Sequence, residues 1–584
     1  MANDTRTPSA PKTSASPAPA SAKPRASDEQ VMRLILRWEA AVQGQTNWRA
    51  RWQDSATYIA QHKGNILMRR VEGAQEMIGI HDTTATEAAE VMAAGMLTHT
   101  MPAGEQWFQF RDKTAGNTSL SSWLEAAGKK QAEAMHSGNF YDDVFECLHD
   151  LAVFSVCAVF VDEHKDDGGD WLFNFTHIPV GTFAIEEDAR GRAGAFLRKF
   201  EFTAAQCEEK WGNEKLSAQM RELLALNEQA ARERKHDILH VVTRRKGGDW
   251  RPGLAPGNQR EWASYYIDIG GKHIIEEGGY YEQPFAVCRL MRGNNEIYGR
   301  GPADKAMPVI KALNRLEYDR MLGIDYAVNP GWLMHHDSDY RADNRPGGET
   351  YYSDANKKPE RMKVESRLDW AGAYAEEKRT QIRVAFYNPM FQMLNNPDEM
   401  KRQKTAFEVE KMLQEKLVLF SPIFGRLCGE FVEPVLHRVF GIMVRNNAFE
   451  TPPPVEFDAG NYRVEYVSKI ALAIKAALTN AFMGVAQTIG AISAFDPSVT
   501  LVLDMEKAVR DIARNNGLPV EWQRSAGDIE AIKQQQAQAA AMQQAQAAAG
   551  VGKDMSAAAK NLGPAGQEQA LAALGGMGGM GGGM

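Results

Sequence analysis

Residues 284–333 read PFAVCRLMRGNNEIYGRGPADKAMPVIKALNRLEYDRMLGIDYAVNPGWL: an apolar run, a glycine-rich turn, then a long helical pattern held between two prolines. The run from Phe285 to Leu290 suits a buried strand. Gly299, Gly301 and Pro302 then turn the chain. Proline has no amide proton and is tolerated where helical amides are unpaired, so Pro302 predicts a helix start. Asn329-Pro330 predicts its end, because a proline clashes with a helix that tries to continue through it.

Downstream, Pro330, Pro346-Gly347-Gly348 and Pro359 separate short extended runs across 329–368, a composition that suits a small excursion at the tip of two helices. A second helix over 369–387 returns the chain. Residues 388–400 carry Pro389 and Pro397 with Met390, Phe391, Met393 and Leu394, and read as an irregular loop. From Lys401 to Asn446, apolar residues recur every three or four positions (Val409, Leu413, Leu417, Phe420, Phe424 and onward), which predicts a long helix with one face on a core. Pro422 and Pro434 lie inside it, so kinks or a break are expected there. Helices at about 468–493 and 499–516 complete a 401–520 segment. Within 521–549, the Gln/Ala run from Ala531 to Ala549 has high helix propensity but no large apolar face, so it needs neighbours to be stable. Residues 550–584, ending in a Gly/Met tract, read as a disordered tail.

Upstream, residues 1–27 are rich in Ala, Ser, Pro and Lys and read as a disordered arm. Residues 28–155 read as helices: Ser27 or Asp28 would cap the first, and Thr84-x-x-Glu87 would form a capping box on an Ala/Gly-rich second helix expected to be buried. From Val153 to Leu290 the pattern turns to short strands. Val156–Val161 and Trp171–Phe175 flank Asp166-Asp167-Gly168-Gly169, a hairpin turn. A helical interruption over 204–234 precedes strands near 236–243 and 265–269. The fold class is α+β, mainly α.

Four blocks of this chain occur in an order and spacing that resembles the portal, or head-to-tail connector, proteins of short-tailed, podovirus-type bacteriophages. They are Ile80 to Ala89 leading to Met101-Pro102 and Trp107-Phe108; the stretch quoted above; Lys404-Thr405-Ala406-Phe407-Glu408-Val409-Glu410; and Val464 to Ala473. The resemblance implies an elongated subunit: a wing over 28–300, a stem helix over 301–328, a clip over 329–368, a second stem helix over 369–387, a tunnel loop over 388–400, and a C-terminal helical crown or barrel.

Composition limits the function. At 584 residues and 44% apolar content the chain can bury a large core, and five cysteines without paired short spacings imply neither a zinc cluster nor a disulfide framework. A net charge of -8 argues against gripping nucleic acid by bulk counterion release. No 20-residue apolar window exists, so no membrane partner is expected. There is no Gly-x-x-x-x-Gly-Lys-Ser/Thr phosphate cradle and no nucleophile motif, so neither an enzyme nor a cofactor is expected. The acidic cluster at 162–170 lacks calcium-loop spacing, and His335-His336-Asp337 lacks a nearby fourth ligand, so no metal is expected.

The resemblance therefore implies a structural ring at the capsid vertex of a virion, assembled in the host cytoplasm, through which double-stranded DNA is packaged and ejected. It implies a dodecamer, with a terminase motor, the major capsid protein and tail adaptor proteins as partners. Met390, Met393, Lys401, Arg402 and Lys404 become candidates for contact with DNA in the channel, against the plainer reading of a loop followed by a solvated charge run. On the first stem helix Lys305, Lys311, Arg315 and Arg320 face an equal number of acids, Asp304, Glu317, Asp319 and Asp325, a balance that would let phosphates slide. The alternatives are a helical scaffold or adaptor that does not encircle DNA, and a metal-dependent nuclease.

Overall fold

The computed structural model describes residues 26–543 apart from internal stretches, the longer of which are 68–72, 74–78, 114–117, 166–170, 246–255, 338–341, 364–367, 393–419, 473–481, 491–506 and 513–528. The arm and tail read from the sequence, and most of the 401–520 segment, lie outside the described residues.

The N-terminal helices are α1 (Ala26–Gly44), α2 (Thr46–Tyr58) and α3 (Thr84–Thr100). Helix α1 starts before Ser27, so Ser27 and Asp28 occupy its first turn rather than its cap. Its Val31, Leu34, Ile35 and Trp38 recur on one face and are buried with Ala184, Leu197, Leu239 and Val241. Helix α3 is buried as its small residues predict: Ala85, Ala88, Ala89 and Ala93 are covered, and a side chain at Gly95 would collide with the Phe391 ring. The capping box expected at Thr84 does not form. Asp82 accepts the Thr84 amide at 2.9 Å, and the Thr83 hydroxyl, one residue earlier, reaches Glu87 at 3.1 Å.

A strand then breaks the run expected to be wholly helical. Strand β1 (Phe108–Asp112) precedes α4 (Thr118–Ser137) and α5 (Phe140–Phe154), and the last ends at Ser155 with φ 65, a left-handed corner into the sheets. There β2 (Val156–Lys165) pairs antiparallel with β3 (Trp171–His177), the hairpin expected from the two β-rich runs flanking a turn. A five-stranded antiparallel meander follows: β4 (Phe183–Glu187), β5 (Ala193–Thr203), β6 (Lys235–Arg244), β7 (Trp262–Asp268) and β8 (His273–Tyr280). Between β5 and β6 sit α6 (Ala204–Trp211), α7 (Ala218–Ala225) and α8 (Gln229–Arg232), the expected helical interruption.

The quoted stretch closes the first sheet. Strand β9 (Phe285–Arg289) lies on the other side of β2, pairing Cys157 with Cys288, and a short ribbon of β10 (Met291–Arg292) and β11 (Gly299–Arg300) turns the chain. The glycines serve close approach: a Cβ on Gly299 would sit 2.7 Å from the Ser155 carbonyl oxygen. Then α9 (Pro302–Val328) opens on its proline, and the Gly301 amide donates to Asp304 at 2.9 Å. Beyond it β12 (Trp332–Leu333) pairs with β13 (Glu360–Arg361), and α10 (Leu368–Ala385) packs back along α9, followed by the single turn α11 (Asn388–Phe391).

The last described helices show how the chain takes two prolines. Pro422 stands in the first turn of α12 (Ser421–Arg426), where its missing amide costs no helical hydrogen bond. Before α13 (Glu433–Arg445) the chain widens into a π-helical turn, Leu427–Val432, and the Glu433 amide reaches back to Cys428. That extra residue per turn accommodates Pro434, which has no amide to give. Finally β14 (Tyr462–Tyr466) pairs with β1, Phe108 opposite Tyr466 and Asp112 opposite Tyr462, so distant parts of the sequence are tied together. One main core joins α3, α5, β2, the lower part of α9 and α13.

Candidate subunit and nucleic-acid interface

The pair α9 and α10 has two unlike halves. In the lower half of α9, Ala303, Ala306, Ile310, Leu313 and Glu317 are buried at steps of three and four. After Glu317 the burial stops, although the apolar residues continue: Tyr318, Met321, Leu322, Ile324, Tyr326 and Val328 are all exposed. On α10, Ala375 and Ile382 are covered while Trp370 and Tyr374 stack on each other in the open, ring centroids 5.6 Å apart. Between the helices Leu333, Met334, Tyr351, Tyr352 and Met362 are exposed as well, Tyr351 at 78%. Thus a helix pair rooted in the core carries an uncovered apolar tip.

The root is electrostatic. Arg379 of α10 reaches Asp82 ahead of α3 at 2.9 Å, Glu317 of α9 at 2.7 Å and Glu376 at 3.3 Å. Burial disfavours the Arg379 charge, but these carboxylates outweigh it and hold its pKa above the ordinary value. The Arg383 and Arg379 guanidinium groups hold the Glu376 carboxyl below its ordinary value.

The basic residues of α9 are largely neutralised. Lys311 pairs with Asp54 at 2.8 Å, Arg315 with Asp319 at 3.0 Å, and Arg320 with Glu317 at 2.9 Å. Lys305 is exposed and makes no ion pair among the described residues. Met390 departs from expectation. It is 8% exposed and packs in the main core, because the α11 turn folds it inward, so it does not present its thioether to a channel. Met393, Lys401, Arg402 and Lys404 lie outside the described residues, and the structure brings none of them to a site.

Two features escaped the sequence reading. The signal for the exposed tip was there: from Tyr318 to Val328 apolar residues fall on every side of the helix, which one core-facing stripe cannot explain. The Arg379 clasp had no such signal, since it joins positions 82, 317 and 379. No helix among the described residues is long and apolar enough to cross a membrane. Those residues also contain no cluster of three or more potential metal ligands. His335, His336 and Asp337 lie exposed in the tip.

Comparison with known proteins gives the same picture. Residues 32–522 match the family described as bacteriophage head to tail connecting protein. The chain is 26% identical to a probable portal protein of Bordetella phage BPP-1, across 86% of this chain and 90% of the relative. It is 24% identical to the portal protein of Salmonella phage epsilon15, across 87% of this chain and 93% of that one.

Proposed function

We infer that this chain, which belongs to the bacteriophage head to tail connecting protein family, is a portal subunit: a structural, non-enzymatic protein of the virion that joins head to tail. Copies form a ring at the capsid vertex, and the genome enters and leaves through its channel. The observation that carries the ring is the uncovered apolar tip of α9 and α10. Contiguous exposed tyrosines, leucines and methionines on a helix pair anchored by a buried clasp are costly in water and suit burial against a neighbour. A closed ring requires heterologous contacts, in which one face of a subunit meets a different face of the next. A paired helix offers two such faces.

Twelve copies, a terminase motor that performs the packaging work, a capsid shell and tail adaptors are the finer parts of this reading, and they rest on family resemblance. So does the placement of 388–400 as a tunnel loop with Met393, Lys401, Arg402 and Lys404 toward the DNA. The ion pairs along α9 support a wall that attracts phosphate weakly, so that DNA slides.

Charge placed on the apolar tip tests the ring. Trp370→Glu combined with Val328→Glu is expected to leave the folded protomer intact and to convert the large assembly seen by native mass spectrometry into monomers or small oligomers. An unchanged assembly would place the subunit contacts elsewhere and favour an adaptor that does not encircle DNA.

A further inference from the structure

A cleft of about 1930 Å³ is lined by residues of β2, β3, β5 and β6, and none of its lining residues belongs to α9 or α10. Two cations line it in an unusual setting. The Arg198 guanidinium lies over the Phe160 and Phe200 rings at 4.8 and 4.9 Å, and its Nε is buried without a hydrogen-bond partner. The Lys210 ammonium stands 5.3 Å from the Trp211 and Tyr266 rings. Among the described residues neither makes an ion pair within 4.0 Å, and Asp162 is the shared acid that acts on both from farther away. Burial is the largest influence on each and pulls both pKa values down. Nearby, His236 Nε2 and Arg49 Nε are also buried without partners. A charge held against aromatic rings and denied a carboxylate gains most from an anion that brings its own.

The rest of the lining says which kind of anion. Leu67 and Leu226 stand exposed on the cleft, and five carboxylates share its wall: Asp162, Glu201, Glu222, Asp237 and Asp268. Lys199 is occupied by Asp237 at 2.8 Å and Lys235 by Glu201 at 4.0 Å. A continuous phosphate backbone would run past those carboxylates and find no use for the leucines. The volume far exceeds what a lone anion fills. An extended polypeptide with well-separated carboxylates and apolar side chains matches both features.

We propose that this cleft docks an extended acidic and apolar peptide segment of a second protein, its carboxylates meeting Arg198 and Lys210 and its apolar side chains lying against Leu67 and Leu226. The cleft shares no lining residue with the α9 and α10 tip. The test uses the full-length assembled protein and a fluorescent eight-residue peptide that alternates Glu or Asp with Leu or Phe. Saturable binding is expected, weakening with salt and about tenfold weaker in Arg198→Met and in Lys210→Gln, with wild-type thermal melting of the Lys210→Gln variant showing that its fold is kept. Lys305→Met, on α9, is expected to bind as wild type. A peptide with Lys in place of each acid is expected not to bind. The proposal is overturned if the acidic peptide fails to bind, if Lys210→Gln binds it unchanged, or if inorganic phosphate or a short DNA duplex displaces it at equal concentration.

Discussion

At the scale of single residues, the molecule depends on charges that are buried and answered. Asp150 is fully covered, with Lys63 at 2.7 Å and His177 at 2.6 Å. Burial pushes its carboxyl up, and these two partners more than reverse that, leaving it below its ordinary value. Its stabilising effect is therefore present at neutral pH and lost only in strong acid, as pH falls through that lowered value. The adjacent His149 titrates in a gentler range. It is 4% exposed, its Nδ1 has no partner, and burial, with Lys63 adding to it, drops its pKa to about 4. An unfolded histidine takes up its proton near pH 6.5, whereas this one stays neutral. Stability from His149 is thus whole above that pH and declines as pH falls toward 4, by about 2 kcal/mol at pH 5. His149→Leu is expected to flatten the dependence of Tm on pH between 6.5 and 4.5; the same slope in the variant would assign the acid sensitivity to another group.

At the scale of elements, two guanidinium groups hold distant pieces in register. Arg289, 1% exposed, ties β9 to the π-helical turn through Glu430 at 3.0 Å, and Arg438, equally buried, ties α13 to Glu163 and Glu282 at 2.9 Å each. Arg379 does the same for the α9 and α10 root. Its partners Glu317 and Asp82 are 5% and 8% exposed, so Arg379→Met would leave the covered Asp82 carboxylate without this counter-charge and Glu317 with Arg320 alone, at a cost of about 2–3 kcal/mol. Arg383→Met removes only a surface pair and is expected to cost less than about 1 kcal/mol. Thermal melting of the two variants checks the ordering, and faster amide exchange across 302–328 in Arg379→Met alone would locate the effect; equal melting would mean the clasp is incidental.

These elements also show what could be read in advance. Pro302, Asn329-Pro330 and the Gly299/Gly301 turn are local signals, and the structure follows them. Burial of the Ala-rich α3 and the β2–β3 hairpin were legible for the same reason. Strand β1 was missed because its partner β14 lies far along the chain, and Phe108-Gln109-Phe110 alone is too short to outweigh the helices around it. At Pro434 the expected kink or break takes the form of a π turn, whose amide lies five residues from its acceptor, a form that the apolar pattern of the helix does not specify. Met390 was read as channel-facing from its place in an irregular loop, and only tertiary packing shows it turned inward.

At the scale of the whole molecule, a core built of α3, α5, β2 and α13 anchors a helix pair whose far end is apolar and uncovered. Net charge is -8 and three of the four α9 cations are paired, which argues against a grip on DNA through bulk charge. A ring that confines a duplex by geometry and holds it loosely is consistent with both. Assembly is expected without nucleotide, since the contacts are those of apolar surface. Electron microscopy of the purified protein, viewed down the particle axis, tests this most directly. The account predicts closed rings of identical subunits around an open axial channel wide enough for duplex DNA; dispersed monomers, or compact clusters with no axial opening, would contradict it.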